Sequence, residues 1–96
     1  MNMSDNQLTA IPDYIGNLSN LKVLDLGFNK LTAIPESIGN LNNLEWLSLF
    51  DNQLTKLPES IGNLSNLKRL DLEDNHITTL EQEKIKNLLP NCKIYF

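Results

Sequence analysis

The feature that most constrains this chain is a 23-residue period that runs through almost its whole length. Units begin with Leu-Thr at Leu8, Leu31 and Leu54, and the second and third units are identical at 15 of 23 positions. A period of this length indicates a stack of equivalent coils. We therefore expect one domain over 1–96, with full repeats at 8–30, 31–53 and 54–76, a partial unit at 1–7 and a C-terminal cap at 77–96.

One half of each unit has the alternation of a β-strand. Leu24 and Leu26 point to one side of the chain, whereas Val23 and Asp25 point to the other. The same pattern recurs in 44–52 and 67–75. A strand this short buries its leucines only by stacking on its copies, so the units predict a parallel sheet.

The other half of each unit predicts a short outer turn. Pro12, Pro35 and Pro58 remove backbone donors, which blocks a sheet on that side. Isoleucine and leucine follow at i, i+3 spacing, as in a single 3-10 or α turn that faces inward. A glycine follows each isoleucine, where a helical turn would end. The stack should therefore curve with its sheet on the inside.

An asparagine recurs directly after each strand, at Asn29, Asn52 and Asn75. A side-chain amide both donates and accepts hydrogen bonds, so at a tight turn it can satisfy backbone groups of its own coil and of the neighbouring coil. We interpret these residues as a structural ladder.

The C-terminal segment predicts a cap. Residues 81–89 carry apolar side chains at helical spacing, Thr78 or Thr79 can cap the start, and Pro90 stops the helix. Residues 92–96 then read as a last strand. With one inserted residue, its inward positions are Ile94 and Phe96, and its inner-face positions are Lys93 and Tyr95.

The repeated pattern L-P-x-x-I-G-N-L-x-N-L-x-x-L-x-L-x-x-N resembles that of bacterial leucine-rich-repeat proteins over nearly all of the chain. The resemblance implies an α/β solenoid: a right-handed arc with a parallel concave sheet, short convex 3-10 or α turns and a C-terminal capping helix. It also implies protein–protein recognition, with no fixed catalytic residue.

The framework of the repeat does not require the residues on the concave side, so their identity is informative. An aromatic cluster around Trp46, with charged residues about it, is typical of a binding hot spot. A second interpretation is that Trp46 stacks on Val23 or Arg69, and that Phe28 and Phe50 tuck into the turns. The predicted partner-binding residues are Val23, Asp25, Phe28, Trp46, Ser48, Phe50, Arg69, Asp71, Glu73 and Tyr95.

The N-terminal end shows no capping pattern, because the chain opens inside a strand. An uncovered edge invites pairing with another chain. This predicts an alternative function, self-association of the chain into a homo-oligomer, or else continuation of a longer solenoid. The edge residues in this prediction are Met1, Met3, Ile11 and Tyr14.

Charge and composition argue against several other classes of protein. A net charge of -4 with scattered basic residues does not suit nucleic acid. No apolar run approaches the roughly 20 residues of a membrane span. The first fifteen residues lack the pattern of a signal peptide, which favours a cytoplasmic location, unless the chain is processed or trimmed from a secreted or surface protein.

The sequence gives little support to catalysis or to a metal or other cofactor. It has no Cys/His cluster, no phosphate-binding loop and no nucleophile–base set. His76 falls in a solvated turn, and Cys92 has no cysteine partner. The carboxylates of Asp71, Glu73 and Asp74 could attract calcium, but such a patch is usually a solvated face. We expect a protein that is not an enzyme.

Overall fold

The computed structural model describes residues 1–96 as a stack of coils that share one parallel sheet. The strands are β1 (Val23–Asp25), β2 (Trp46–Ser48), β3 (Arg69–Asp71) and β4 (Lys93–Tyr95), in the order β1-β2-β3-β4. On the outer side run 3-10 helices at Asp13–Asn17, Glu36–Asn40 and Glu59–Asn63, and one α-helix, α1 (Thr79–Leu88). This arrangement confirms the predicted sheet and outer turns.

The strands are much shorter than the predicted strand segments, because each coil must turn within a few residues after its last inward leucine. β3 pairs with β4 through Arg69 with Lys93 and Asp71 with Tyr95. The one-residue insertion predicted before the last strand is therefore confirmed.

The core is a column of aliphatic side chains enclosed by the coils. Leu24, Leu47 and Leu70 lie side by side in the sheet and are fully buried. Burial of one such leucine stabilises the fold by roughly 1.5–3 kcal/mol, so the regular repetition of leucine accounts for the stack.

Glycine is needed in the outer turns for space rather than for backbone freedom. Gly39 lies inside its 3-10 helix, and none of the glycines has a positive φ. A Cβ at Gly39 would lie 2.6 Å from the carbonyl oxygen of Ser60 in the next coil. The expected role at a helix end is therefore wrong, since these glycines let neighbouring turns pack closely.

The asparagine ladder (Asn29, Asn52 and Asn75) forms as predicted. The Asn52 Nδ2 donates to the carbonyl oxygens of Leu26 and Leu49, and its Oδ1 accepts from the Leu31 N–H at 3.0 Å. One side chain thus satisfies backbone groups in two neighbouring coils. The convex side has a further set of such bonds, in which the Asn66 Nδ2 donates to the Asn42 carbonyl oxygen of the preceding coil.

The C-terminal end is covered by α1 and β4. The hydroxyl oxygen of Thr78 accepts from the Glu81 N–H at 3.2 Å, which identifies Thr78 as the N-cap. Ile85 and Leu89 are buried, and Leu88 packs against Gly62 in the last 3-10 helix. The predicted cap is therefore present.

The N-terminal segment extends the sheet beside β1. The Met3 N–H donates to the Asp25 carbonyl oxygen, and the Asp25 N–H donates to the Met1 carbonyl oxygen. Met3 packs against the core, while Met1 and Tyr14 are exposed. Ile11 corrects the sequence prediction, because it is only 6% exposed and belongs to the core. Met3, Leu8 and Leu18 pack against the same core, so Ile11 does not present an apolar surface at the N-terminal edge.

Candidate functional site

The parallel register gathers seven of the ten predicted binding residues into two rows across the concave face, and leaves Phe28, Phe50 and Glu73 beyond the strand ends. The first row contains Val23, Trp46, Arg69 and Lys93. The second contains Asp25, Ser48, Asp71 and Tyr95, with Asn2 beside Asp25. Val23, Trp46, Arg69 and Tyr95 are exposed, whereas Asp25 and Ser48 are half-buried.

The centre of this surface is an arginine held between two aromatic rings. The guanidinium carbon of Arg69 lies 4.8 Å from the centre of the Trp46 ring and 4.9 Å from that of Tyr95. Each aromatic face attracts the cation, and the flat guanidinium group packs well against both. We call Trp46, Arg69, Tyr95 and Asp71 the arginine stack.

Asp71 holds the arginine stack from beneath. Its Oδ2 accepts from the Trp46 Nε1–H at 2.9 Å, and its Oδ1 accepts from the Arg69 Nε–H at 3.0 Å. The pKa of Arg69 is raised, first by the hydrogen bond to Asp71, with a further contribution from the charge of Glu73. Asp71 itself is only 5% exposed, so the prediction that it lies on the accessible surface is wrong. It positions the residues above it.

A second aromatic feature lies where the strands end. The rings of Phe28 and Phe50 meet edge to face, with centres 5.1 Å apart, and we call them the phenylalanine pair. Such a pair contributes about 0.5–1.5 kcal/mol beyond its buried area. Phe28 remains 53% exposed. The two rings therefore contact each other and still present an apolar surface to solvent.

The backbone at Phe28 is unusual for an aromatic residue. Its φ is 56°, in the left-handed region, and the equivalent positions in the other coils hold Asp5, Asp51 and Asp74 with similar angles. Aspartate tolerates this conformation far better than a bulky residue does. Phenylalanine at position 28 therefore costs stability at a position where the other coils use aspartate.

A shallow depression lies on the concave face beside Trp46. It has a volume of about 230 Å³ and is lined by Met1, Asn2, Val23, Asp25, Trp46 and Ser48. A larger depression of about 360 Å³ lies on the convex side, but the ion pair of Lys84 and Glu59 stands at its wall. The concave depression is the better receptor for an apolar side chain because Trp46 and Val23 line it.

The acidic residues near the strand ends are not neutralised within the chain. Glu45, Glu59, Asp71 and Glu83 form ion pairs with lysine or arginine. The carboxylates at and beyond the strand ends form none; they are Asp5, Asp25, Asp51, Glu73 and Asp74. The Asp25 Oδ1 accepts from the Gly27 N–H at 3.0 Å. This side of the concave surface therefore carries unpaired negative charge.

The chain's single cysteine and single histidine are the remaining chemically notable residues. Burial raises the pKa of the Cys92 thiol to about 11, which disfavours the reactive thiolate. His76 is exposed. No three histidine, cysteine or acidic side chains are grouped closely enough to hold a metal ion. None of the helices has the length and apolar character needed to cross a membrane.

The sequence pattern places most of these residues on the concave face, but it does not single out Lys93 and does not show that Asp71 is buried. The pattern predicts Lys93 at an inner-face position but not as a binding residue, although it is exposed beside Arg69 in the sheet. Asp71 was assigned to the surface because the alternation of a strand places it on the concave face. The alternation of the strand does not reveal that the side chains of Trp46 and Arg69 cover it.

The fold defines a repeat protein of stacked coils, and comparison with known proteins shows its family. The model of the leucine-rich repeat region matches residues 1–89, so the chain belongs to the leucine-rich-repeat family. It is similar to the solved structure of a leucine-rich-repeat protein of Leptospira interrogans, with 48% identity and a TM-score of 0.93. That match covers 94% of this chain but only 23% of the Leptospira protein. No curated protein matches the chain. Folds of this family are protein–protein interaction modules in general and are typically not enzymes.

Proposed function

We propose that this chain binds a partner protein on its concave face, through the arginine stack and the phenylalanine pair. The observation that carries the proposal is the stack itself. Trp46, Arg69 and Tyr95 lie in three neighbouring strands and are held together before any partner arrives. A rigid aromatic and arginine cluster loses little side-chain entropy on binding, and tryptophan, tyrosine and arginine dominate binding hot spots.

The surroundings of the stack favour a partner with an apolar centre and a mixed rim. The depression beside Trp46 and the exposed ring of Phe28 can each take an apolar side chain. The unpaired carboxylates Asp25, Asp51 and Glu73 favour lysine or arginine on the partner, which would also steer its approach.

A second candidate function is self-association through the N-terminal edge. The exposed side chains of Met1 and Tyr14 favour it. The Asn2 side chain argues against it, because its Oδ1 accepts from both the N–H and the hydroxyl of Ser4. This N–H belongs to the side of the segment that faces away from β1, so Asn2 already occupies a donor that a second strand would need.

Selection from a displayed library of random peptides tests the main proposal. Peptides retained by the wild-type chain should be lost when the double variant Trp46→Ala/Phe50→Ala replaces it. The matched control is Leu80→Ala, which removes another exposed apolar side chain, 83% accessible, from the start of α1. Circular dichroism would show that each variant is folded. Retained peptides that bind the double variant as well as the wild type would contradict the proposal.

Sedimentation equilibrium over a wide concentration range tests the second candidate. A dimer that Tyr14→Ala dissociates would support self-association. A wild-type monomer at all concentrations would exclude it.

A further inference from the structure

Arg69 is held in place by three neighbours, but some of its hydrogen-bond donors remain free. Trp46 and Tyr95 hold its faces, and Asp71 accepts its Nε–H. Neither Nη group donates a hydrogen bond to any protein atom. The side chain is 47% exposed, and these remaining donors have no partner within the chain. Arg69 therefore presents a fork of donors in one preset direction.

Lys93, a second positively charged residue, lies beside Arg69 in the sheet. It is the partner of Arg69 in the register of β3 and β4, and neighbouring strands lie roughly 4.8 Å apart. Its side chain forms no ion pair and is exposed. By contrast, Lys68, directly before β3, forms an ion pair with Glu45. Arg69 and Lys93 are thus the two cationic residues of the concave rows: Arg69 has both Nη groups free, and Lys93 forms no ion pair.

The free Nη groups of Arg69 suit a carboxylate. The two Nη groups of arginine match the two oxygens of a carboxylate in a planar, bidentate contact. Asp71 and Glu73 already act on Arg69 with negative charge. Carboxylates are the ordinary anionic groups of a polypeptide, so a carboxylate is the anion that a protein partner would bring to this corner.

We propose that Arg69 and Lys93 form a receptor for a carboxylate group of the partner polypeptide, supplied either by an Asp or Glu side chain or by a free C-terminus. This inference rests on the proposed function, since the receptor lies at the centre of the proposed binding surface. It adds one requirement to the mixed rim of the partner: an acidic group must meet the arginine stack, while basic groups meet the strand ends.

The chain offers an unusually clean spectroscopic test, because it contains a single tryptophan and a single arginine. The Trp46 Nε1–H and the Arg69 Nε–H each give one isolated signal in a ¹⁵N-correlated NMR spectrum. Both groups hydrogen-bond to Asp71, directly beside the proposed receptor. The probes are N-acetylglycine for a C-terminus and N-acetylglutamate α-amide for a side chain, at pH 7. The neutral control is N-acetylglutamine amide.

The expected result is a saturable shift of both signals with the carboxylate probes at millimolar concentrations, and none with the neutral amide. Arg69→Lys keeps the charge but loses the fork, so it should weaken binding at least fivefold, read from the Trp46 signal. Lys93→Gln should weaken it about twofold to fivefold, whereas Lys30→Gln, an exposed lysine outside both rows, should not change it. The tighter of the two carboxylate probes would identify the source of the group.

Three results would overturn the inference. The first is an equal shift with the neutral amide. The second is unchanged binding in Arg69→Lys. The third is tighter binding of inorganic phosphate than of either carboxylate. Peptide selection separates this inference from the proposed function. Peptides that need Trp46 and Phe50 but carry no carboxylate would leave concave binding intact and exclude the carboxylate receptor.

Discussion

The asparagine ladder and the arginine stack are both polar networks that join neighbouring coils, yet they differ in how the sequence distributes them. Asn29, Asn52 and Asn75 occur once in every coil, and each makes nearly the same bonds. Tryptophan and arginine each occur only once in the chain, as Trp46 and Arg69. A solenoid needs the same contact at every coil boundary, so repeated residues serve the stack. Residues that appear once on the inner face are not needed by the repeat and are available for binding.

Asp71 stands between these two networks and shows why the distinction is useful. It is buried like a ladder residue, but it bonds to side chains rather than to the backbone. Asp71 positions the side chains of Trp46 and Arg69, whereas Asn52 bonds to the backbone of two neighbouring coils. Removal of each residue should therefore have a different effect, and four substitutions test this difference from the largest expected effect to the smallest.

Asn52→Ala should have the largest effect on stability. The Leu31 N–H donates only to the Asn52 Oδ1 and would be left buried without a partner. With the loss of the bonds from Nδ2, we expect the free energy of unfolding to fall by about 2–4 kcal/mol. Urea denaturation followed by circular dichroism measures this. The control is Asn6→Ala, at the exposed end of the chain, which should cost less than about 1 kcal/mol. Equal losses would break the comparison.

Gly39→Ala should have the next largest effect, because the added Cβ would meet the backbone of the next coil at 2.6 Å. Overpacking of this kind costs roughly 1–3 kcal/mol. Gly62→Ala is the matched control. Its Cβ would meet the Leu88 Cδ2 at 3.2 Å, and that side chain can move. Thermal unfolding should show a clearly larger loss for Gly39→Ala, and the reverse order would contradict the packing role.

Asp71→Asn should act mainly on the arginine stack. An amide nitrogen would face either the Trp46 Nε1–H or the Arg69 Nε–H, so one of two hydrogen bonds is lost. We expect a fall of about 1–2 kcal/mol in the free energy of unfolding. Trp46 fluorescence should also change, because the ring loses its anchor. An unchanged tryptophan signal would show that Asp71 does not order the stack.

Phe28→Asp should have the smallest effect on stability, because two changes oppose each other. Aspartate relieves a left-handed backbone strain of about 1 kcal/mol. Loss of the phenylalanine pair removes about 1 kcal/mol. The free energy of unfolding should stay within about 1 kcal/mol of the wild type, whereas affinity for the selected peptides should fall. A large loss of stability would instead assign the pair to the fold.

The repeat predicted the fold closely because its physical requirements recur in every coil. The register of β4 followed from Ile94 and Phe96 at inward positions, and the ladder followed from Asn52 and its copies. The glycines were misread because an outer turn can need glycine either for a positive φ or for close packing. Both needs give the same residue at the same place in the sequence. The φ angles, none of them positive, and the 2.6 Å approach at Gly39 separate the two roles.

The candidate site was less predictable, since it depends on side-chain conformations, which the 23-residue repeat does not determine. The strand pattern puts Trp46 and Arg69 on the same face of the sheet, and contact between them is one of the two interpretations that the sequence allows. The rows did not show that Tyr95 completes the stack from a neighbouring row, or that Asp71 is covered. Ile11 was assigned to an open edge for a similar reason, because the pattern does not show how far the first coil closes over its own core.

The most direct test of the account is the affinity of a selected peptide for the Trp46→Ala/Phe50→Ala variant, measured by isothermal titration calorimetry alongside its free energy of unfolding. We predict at least a tenfold loss of affinity in a variant that stays folded, with a fall of about 2–4 kcal/mol in the free energy of unfolding. Unchanged affinity in a folded variant would contradict it, and would mean that the residues occurring once on the concave face do not form the binding surface.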